Sequence, residues 1–204
     1  DKDNQITSSS RGVILDSSDN FKIVARPFER FFNLGEFQAA KLCSQTTTAM
    51  KKKDGSLAFI WHYDGEWRVS TKGSPNASGS VGLNPISFNT LFWQVFEECE
   101  YSLPAPEEKN LTFVFELCHS LNRIVVHHQK GHLPLLAVVN NTSGGEYNPK
   151  FWPYQKVEQC PVLSIEELQE NLLKLPPESN EGYVLIDHNY RRVKVKHPGY
   201  VQLH

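Results

Sequence analysis

Apolar residues along the chain fall in short runs separated by Gly, Pro, Asn, Asp and Ser, which is the pattern of many short strands with few helices. The pattern predicts strands at residues 11–16 and 21–28, joined by the turn-rich string Ser17-Ser-Asp-Asn20. Residues 36–43 read as a short helix. A hairpin is predicted over residues 57–63 and 66–71, because Asp64-Gly65 between β-rich runs suits a type I′ turn. Asn84-Pro85 reads as a helix start, followed by Phe88, Leu91, Phe92, Val95 and Phe96 at helical spacing. Strands follow at 112–117, 122–128 and 133–140. Ser164-Ile-Glu-Glu167 is a capping box that opens a helix through Lys174, and Pro176-Pro177 stops it. Two last strands, 182–187 and 191–197, flank a His188-Asn-Tyr turn. Elements in this order, without βαβ alternation, predict an α+β domain of antiparallel sheets with flanking helices. Residues 1–10 are polar without periodicity and read as a tail or linker ahead of a domain at 11–204.

Composition narrows the class of protein. No apolar run approaches the roughly 18 residues of a membrane span, so no membrane partner is expected. The four cysteines, Cys43, Cys99, Cys118 and Cys160, are far apart and lack C-x-x-C spacing, as in a reduced intracellular protein of cytoplasm or nucleus. A formal net charge of -2 excludes a generally basic nucleic-acid binder, so any anionic substrate must be held by local cations. Lys51 to Lys53, Arg191 with Arg192, and Lys194 with Lys196 supply them.

The chemistry concentrates at Lys52-Lys53-Asp54-Gly55-Ser56, ahead of the hairpin. A lysine attacks as the neutral amine, so a nucleophilic lysine needs its ordinary pKa of roughly 10.4 brought down by burial or nearby positive charge. Lys52 follows Ala49-Met50 and has a lysine on each side, while Gly55 lets backbone come close to a nucleotide. Taken alone, Lys-x-Asp-Gly is also a common exposed turn. Further along, Lys194 and Lys196 alternate on one strand and so share a face that can oppose charge developing on a phosphate. Glu116 and Glu181 are carboxylates able to hold ribose hydroxyls or a divalent metal.

With these pieces in order, the sequence resembles the ATP-dependent RNA ligases of T-even phage type, within the covalent nucleotidyltransferase superfamily, from Arg11 to His204. The matching strings are Arg11-Gly, Arg26-Pro-Phe-Glu-Arg30-Phe-Phe-Asn33, Lys52-x-Asp54-Gly55-Ser56-Leu57, Thr71-Lys72-Gly73-Ser74, and Phe-Glu116 with Asn122-Arg123-Ile-Val. Glu181-Gly182-x-Val184 and Lys194-Val-Lys196 with Gly-Tyr200-Val-x-Leu-His204 complete the series. The resemblance implies a nucleotidyltransferase domain with an ATP-grasp-like ligase core, a monomer that uses ATP with Mg²⁺ or Mn²⁺. It implies a lysyl-adenylate on Lys52, α-phosphate contacts from Lys194 and Lys196, and nucleotide contacts from Asp54 and Gly55. Glu116 is assigned to the ribose or a metal, and Glu181 to a metal or its water. Arg11 and Lys72 match phosphate positions, and Tyr200 and Arg30 positions near the RNA end. Arg30 departs from the phage enzymes, which carry lysine there, so charge is kept while donor geometry changes. The implied substrate is RNA with 5′-phosphate and 3′-OH ends. Because the family carries more structure on both sides of this stretch, a fragment of a longer protein is expected.

Other readings compete. Capping enzymes and DNA ligases use the same lysine chemistry, in the former with GTP, but usually place arginine two residues after the motif glycine, where this chain has Leu57. A noncatalytic RNA-binding module with a ligase fold is the alternative from another class. Trp61 and Trp67 are expected as a cross-strand packing pair. His127, His128 and His132 are expected in core or surface roles, since adjacent strand residues face opposite ways.

Overall fold

A computed structural model of the protein describes residues 4–162 and 164–204. The chain forms two compact units. Unit 1 takes the stretch up to Glu29, Gly55–Asn122 and Gln129–Lys156; unit 2 takes Arg30–Asp54, Arg123–His128 and Val157–His204. Helices α1 (Gln5–Ser9), α2 (Phe88–Glu98), α3 (Ile165–Leu173) and α4 (Pro198–Leu203) accompany strands β1 (Ile14–Asp16), β2 (Lys22–Ala25), β3 (Phe32–Asn33), β4 (Thr48–Lys51), β5 (Ser56–Tyr63) and β6 (Glu66–Thr71). Beyond these come β7 (Leu111–Leu117), β8 (Leu135–Asn140), β9 (Glu146–Tyr147), β10 (Gln159–Pro161), β11 (Gly182–Ile186) and β12 (Arg192–Lys196).

Unit 1 is built on the antiparallel sheet β6-β5-β7-β8-β9. Its central strands are buried on both faces, so they read as continuous apolar runs without alternation. On one face Ile60, Phe113, Phe115 and Leu117 pack with Leu91, Phe92, Val95 and Phe96 of α2. On the other, Phe59, Trp61, Val114 and Val139 pack with Ala25 of β2. At about 1.5–3 kcal/mol for each large side chain removed from water, these layers are the main stabilising term of the unit. The β5–β6 turn has positive φ at Asp64 and Gly65, as a type I′ turn requires. Trp61 and Trp67 are not a pair: the register sets Trp61 opposite Arg68 and His62 opposite Trp67. Trp61 enters the second layer and donates to Ser70 Oγ at 2.7 Å, while Trp67 meets Phe113 edge-on.

Unit 2 carries the sheet β10-β4-β11-β12-β3 over a core of Ala49, Leu172, Leu185 and Val195. The pairing of β12 with β3 is parallel, the exception to the antiparallel expectation among the described strands. Ser164 caps α3 through Oγ, which accepts from Glu167 N at 3.0 Å.

Several local expectations change. Residues 36–43 are turns and coil, not helix. The Glu36 carboxylate accepts from Asn33 N at 2.5 Å, Phe37 is 99% exposed, and Leu42 is left to pack on the unit 2 core, so the segment turns at its start and is too short to hold a helix by itself. Residues 122–128 form a 3-10 turn and loop instead of a strand, because the Val125 and Val126 amides donate to the Asp54 side chain instead of a neighbouring strand. Helix α2 starts three residues later than Asn84-Pro85 suggests, since Ser87 is the residue whose Oγ caps it, accepting from Thr90 N. Within the polar leading segment residues 5–9 turn into α1, capped by Asn4, while residues 1–3 lie outside the described residues. Helix α4 and the short strands β3, β4, β9 and β10 were not legible as elements, being too brief to carry a period.

The β11–β12 turn is tied by Asp187, which accepts from Cys43 N, Asn189 N, Arg191 N and the Arg191 guanidinium. Burial works to raise the Asp187 carboxyl, but these donors outweigh it and hold the group below the usual carboxylate range. A depressed folded value contributes stability that is present above the unfolded value of roughly 3.9 and is lost as pH falls through the folded one. Asp187→Asn is therefore expected to lower stability at neutral pH and to shrink the acid-induced loss below roughly pH 4, checked by urea unfolding across that range. At the start of β11, Gly182 has φ +137°, and an added Cβ would lie 2.1 Å from Val195 O. Gly182→Ala is expected to cost about 3 kcal/mol or more in chemical denaturation.

Candidate active site

Strand β11 lies between β4 and β12, with Tyr183 opposite Lys51 and Gly182 opposite Lys196. Lys52 continues the β4 ladder by one bond, its N donating to Gly182 O at 2.8 Å. Glu181, just before β11, receives two ammonium groups on the same oxygen: Lys52 Nζ is 2.9 Å from Oε1 and Lys196 Nζ is 3.5 Å from it. The carboxylate is only 5% exposed and the Lys52 side chain 19%, so this pair is shielded from the screening that weakens surface charges. The pairs of Lys51 and Lys53 with Glu158 differ: each is 3.8 Å long to a carboxylate that is largely in water, a geometry worth about 0–1 kcal/mol at most.

Lys194 and Lys196 occupy alternate positions of β12 and so share a face, while Val193 and Val195 turn the other way and are buried. Each of the two ammoniums lies over a ring. Lys194 Nζ is 4.8 Å from the Phe31 centroid, and Lys196 Nζ is 5.8 Å from that of Tyr200. Arg30 stands over Phe32 at 5.2 Å.

Asp54 is buried and heavily hydrogen-bonded. Its Oδ2 accepts from Val125 N at 2.9 Å and Val126 N at 2.6 Å, and its Oδ1 accepts from Tyr200 Oη at 2.7 Å. Its carbonyl oxygen is 2.6 Å from His128 Nε2. The basis for judging His127 and His128 by strand alternation thus falls away, since both sit in a loop.

Unit 2 therefore gathers Lys52, Asp54, Glu181, Lys196 and Tyr200, with Lys194 one position along the same strand face and Arg30 beside β3. The remaining candidates belong to unit 1. Glu116 lies on β7 opposite Leu57 of β5, is buried, and is in contact range of Gly55, whose position could not take a Cβ without meeting Leu117 O at 2.5 Å. Arg11 is half-buried beside Gly12, and Lys72 is exposed after β6. Residues that sequence reasoning did not single out are Phe31, the Val125 and Val126 amides, and His197, whose Nδ1 accepts from Gly199 N at the start of α4. Phe31 could have been noted from its place in the matching Arg30-Phe-Phe-Asn33 string; backbone donors leave no sequence signal.

A family model described as RNA ligase matches residues 9–200. A putative bifunctional polynucleotide kinase/RNA ligase of Autographa californica nuclear polyhedrosis virus is 31% identical, covering 100% of this chain and 32% of that protein. An RNA ligase of Rhodothermus phage RM378 is 26% identical over 95% of this chain and 59% of its own length. This chain therefore spans a third to three-fifths of those relatives. Among solved structures, an archaeal ATP-dependent RNA ligase superposes with a TM-score of 0.65 at 14% identity, covering 91% of this chain and 51% of that one. A Naegleria gruberi RNA ligase variant with ATP and Mn gives 0.54 at 10% identity, covering 77% of this chain and 51% of that one. These two likenesses establish the fold.

Because a side chain at position 55 must displace strand backbone beside Glu116, Gly55→Ala is expected to destabilise the protein by roughly 1–3 kcal/mol. Urea unfolding monitored by tryptophan fluorescence checks it.

Proposed function

We propose that this chain, which belongs to the RNA ligase family, carries the self-adenylylating core of an ATP-dependent RNA ligase, with Lys52 as nucleophile. The observation that carries the reading is the meeting of Lys52, Glu181 and Lys196, residues far apart in sequence, at one buried carboxylate. In the first step Lys52 Nζ attacks the α-phosphorus of ATP. An N–P bond forms, the bond from that phosphorus to the bridging oxygen breaks, pyrophosphate leaves with the electron pair, and the proton lost by the attacking amine passes to solvent. Attack needs the amine lone pair, so the Lys52 ammonium has to leave Glu181 and give a proton to solvent first. Lys194 and Lys196 sit on one strand face from which they can oppose charge on the α-phosphate oxygens.

A divalent cation fits Glu181, since a buried carboxylate offers the hard oxygen donor that Mg²⁺ and Mn²⁺ take, and when bound it would offset phosphate charge. Glu116 in unit 1 is a second buried carboxylate suited to ribose hydroxyls or a cation, and Arg11 and Lys72 are assigned to phosphates on the family pattern alone. Arg30 is half-exposed and keeps the RNA-end assignment. In the later steps AMP passes to an RNA 5′-phosphate, and a 3′-OH then displaces it to seal the strand.

Incubation with α-labelled ATP or GTP and Mg²⁺ or Mn²⁺ tests the reading. Covalent label from ATP is expected on the wild type and none on Lys52→Ala, with Lys194→Ala and Lys196→Ala slowed on the order of a hundredfold. Label from GTP alone would place the chain with capping-type enzymes. Absence of label from both would favour a noncatalytic RNA-binding module, and label retained by Lys52→Ala would remove Lys52 as nucleophile.

A further inference from the structure

Tyr200 is 1% exposed, and its hydroxyl is engaged by Asp54, two residues from Lys52. The two oxygens of Asp54 divide their work. Oδ2 takes both loop amides, and Oδ1 takes the phenol. The phenol therefore fixes the rotation of a carboxylate that would otherwise be held through one oxygen. The same ring lies beneath the Lys196 ammonium at 5.8 Å. Its own placement comes from α4, whose first turn is set by His197: Nδ1 accepts from Gly199 N at 3.0 Å, and the His197 amide donates to Glu181 O at 2.9 Å. One side chain thus touches both the segment bearing Lys52 and the strand lysine that shares Glu181 with it.

Lys52 is held at its tip by Glu181 and at its base by the Gly182 bond and the Asp54 segment. When the tip leaves Glu181 to meet phosphorus, the segment at its base still holds the lysine in place. From this geometry we infer that Tyr200 is a positioning residue, clamping the Lys52–Asp54 segment through its hydroxyl and supporting Lys196 through its ring, and not a contact to the RNA end. The inference rests on the adenylylation reading for its consequence and on the Asp54 hydrogen bond for its mechanism, so each can fail separately.

Tyr200→Phe keeps the ring and loses the clamp; Tyr200→Leu loses both. In single-turnover adenylylation of the whole chain, Phe is expected to lower the rate at saturating ATP on the order of tenfold, the size expected for one hydrogen bond to a buried carboxylate. The ATP concentration giving half that rate should move by less than about twofold, because the clamp orients the nucleophile without touching the nucleotide. Leu should be slower than Phe. Combined with Asp54→Asn, Phe should cost little more than Asp54→Asn alone, as expected for two groups acting through one contact. Hydrogen exchange at the Val125 and Val126 amides should quicken in Phe. An unchanged saturating rate, an effect confined to the ATP concentration needed, or a loss accounted for by unfolded protein at the assay temperature would each overturn the inference. Should the wild type take no label from ATP, the adenylylation reading falls while exchange still judges the clamp, and unchanged exchange in Tyr200→Phe overturns it.

Discussion

Antiparallel pairing of β11 with β4 on one side and β12 on the other is the constraint on which the unit 2 site depends. It places Lys52, Glu181 and Lys196 on adjoining rungs, although more than a hundred residues separate the first from the others. Strand side chains alternate, so a slip of one residue would turn Lys196 away from Glu181 and bury a lysine where Val195 now packs. Register is held by that burial, by the Asp187 turn, and by the near approach of Val195 O to Gly182, where a side chain has no room.

Around this frame, Asp54 works as a second organiser. A buried carboxylate is costly unless its oxygens are met, and three donors meet this one. At about 1.5–3 kcal/mol for each hydrogen bond to a charged group, they outweigh whatever β-propensity Val125 and Val126 bring to their own segment. The loop at 123–128 is the result, so a motif residue shapes backbone far from it in sequence.

Unit 1 is stabilised differently. Its sheet has no polar face in the middle, since α2 covers one side and β2 the other, and its aromatic side chains interdigitate instead of alternating with water-facing residues. Rigid strands of this kind suit β7, which bears Glu116, and β5, which begins one residue after Gly55. No described helix is long and apolar enough to cross a membrane, and the described cysteines form no disulfide with one another.

Much of this was legible from residue order. The hairpin at Asp64-Gly65, the aromatic stripe of α2, the capping of α3 and the β11–β12 pair each rest on chemistry between near neighbours in sequence, which local pattern reports. Lys52, Glu181, Lys194 and Lys196 stood out as a series because a lysine, a carboxylate and paired cations are the residue types that the proposed adenylylation would demand. Tertiary structure alone decided which of them touch. That Glu181 takes Lys52 and Lys196 on one oxygen, that residues 36–43 run as turn and coil, and that Tyr200 turns inward to Asp54 are outcomes of long-range register and burial. Composition and spacing carry no record of them, because hydrogen-bond donors of the backbone and the partners of a buried charge are chosen only when distant segments meet.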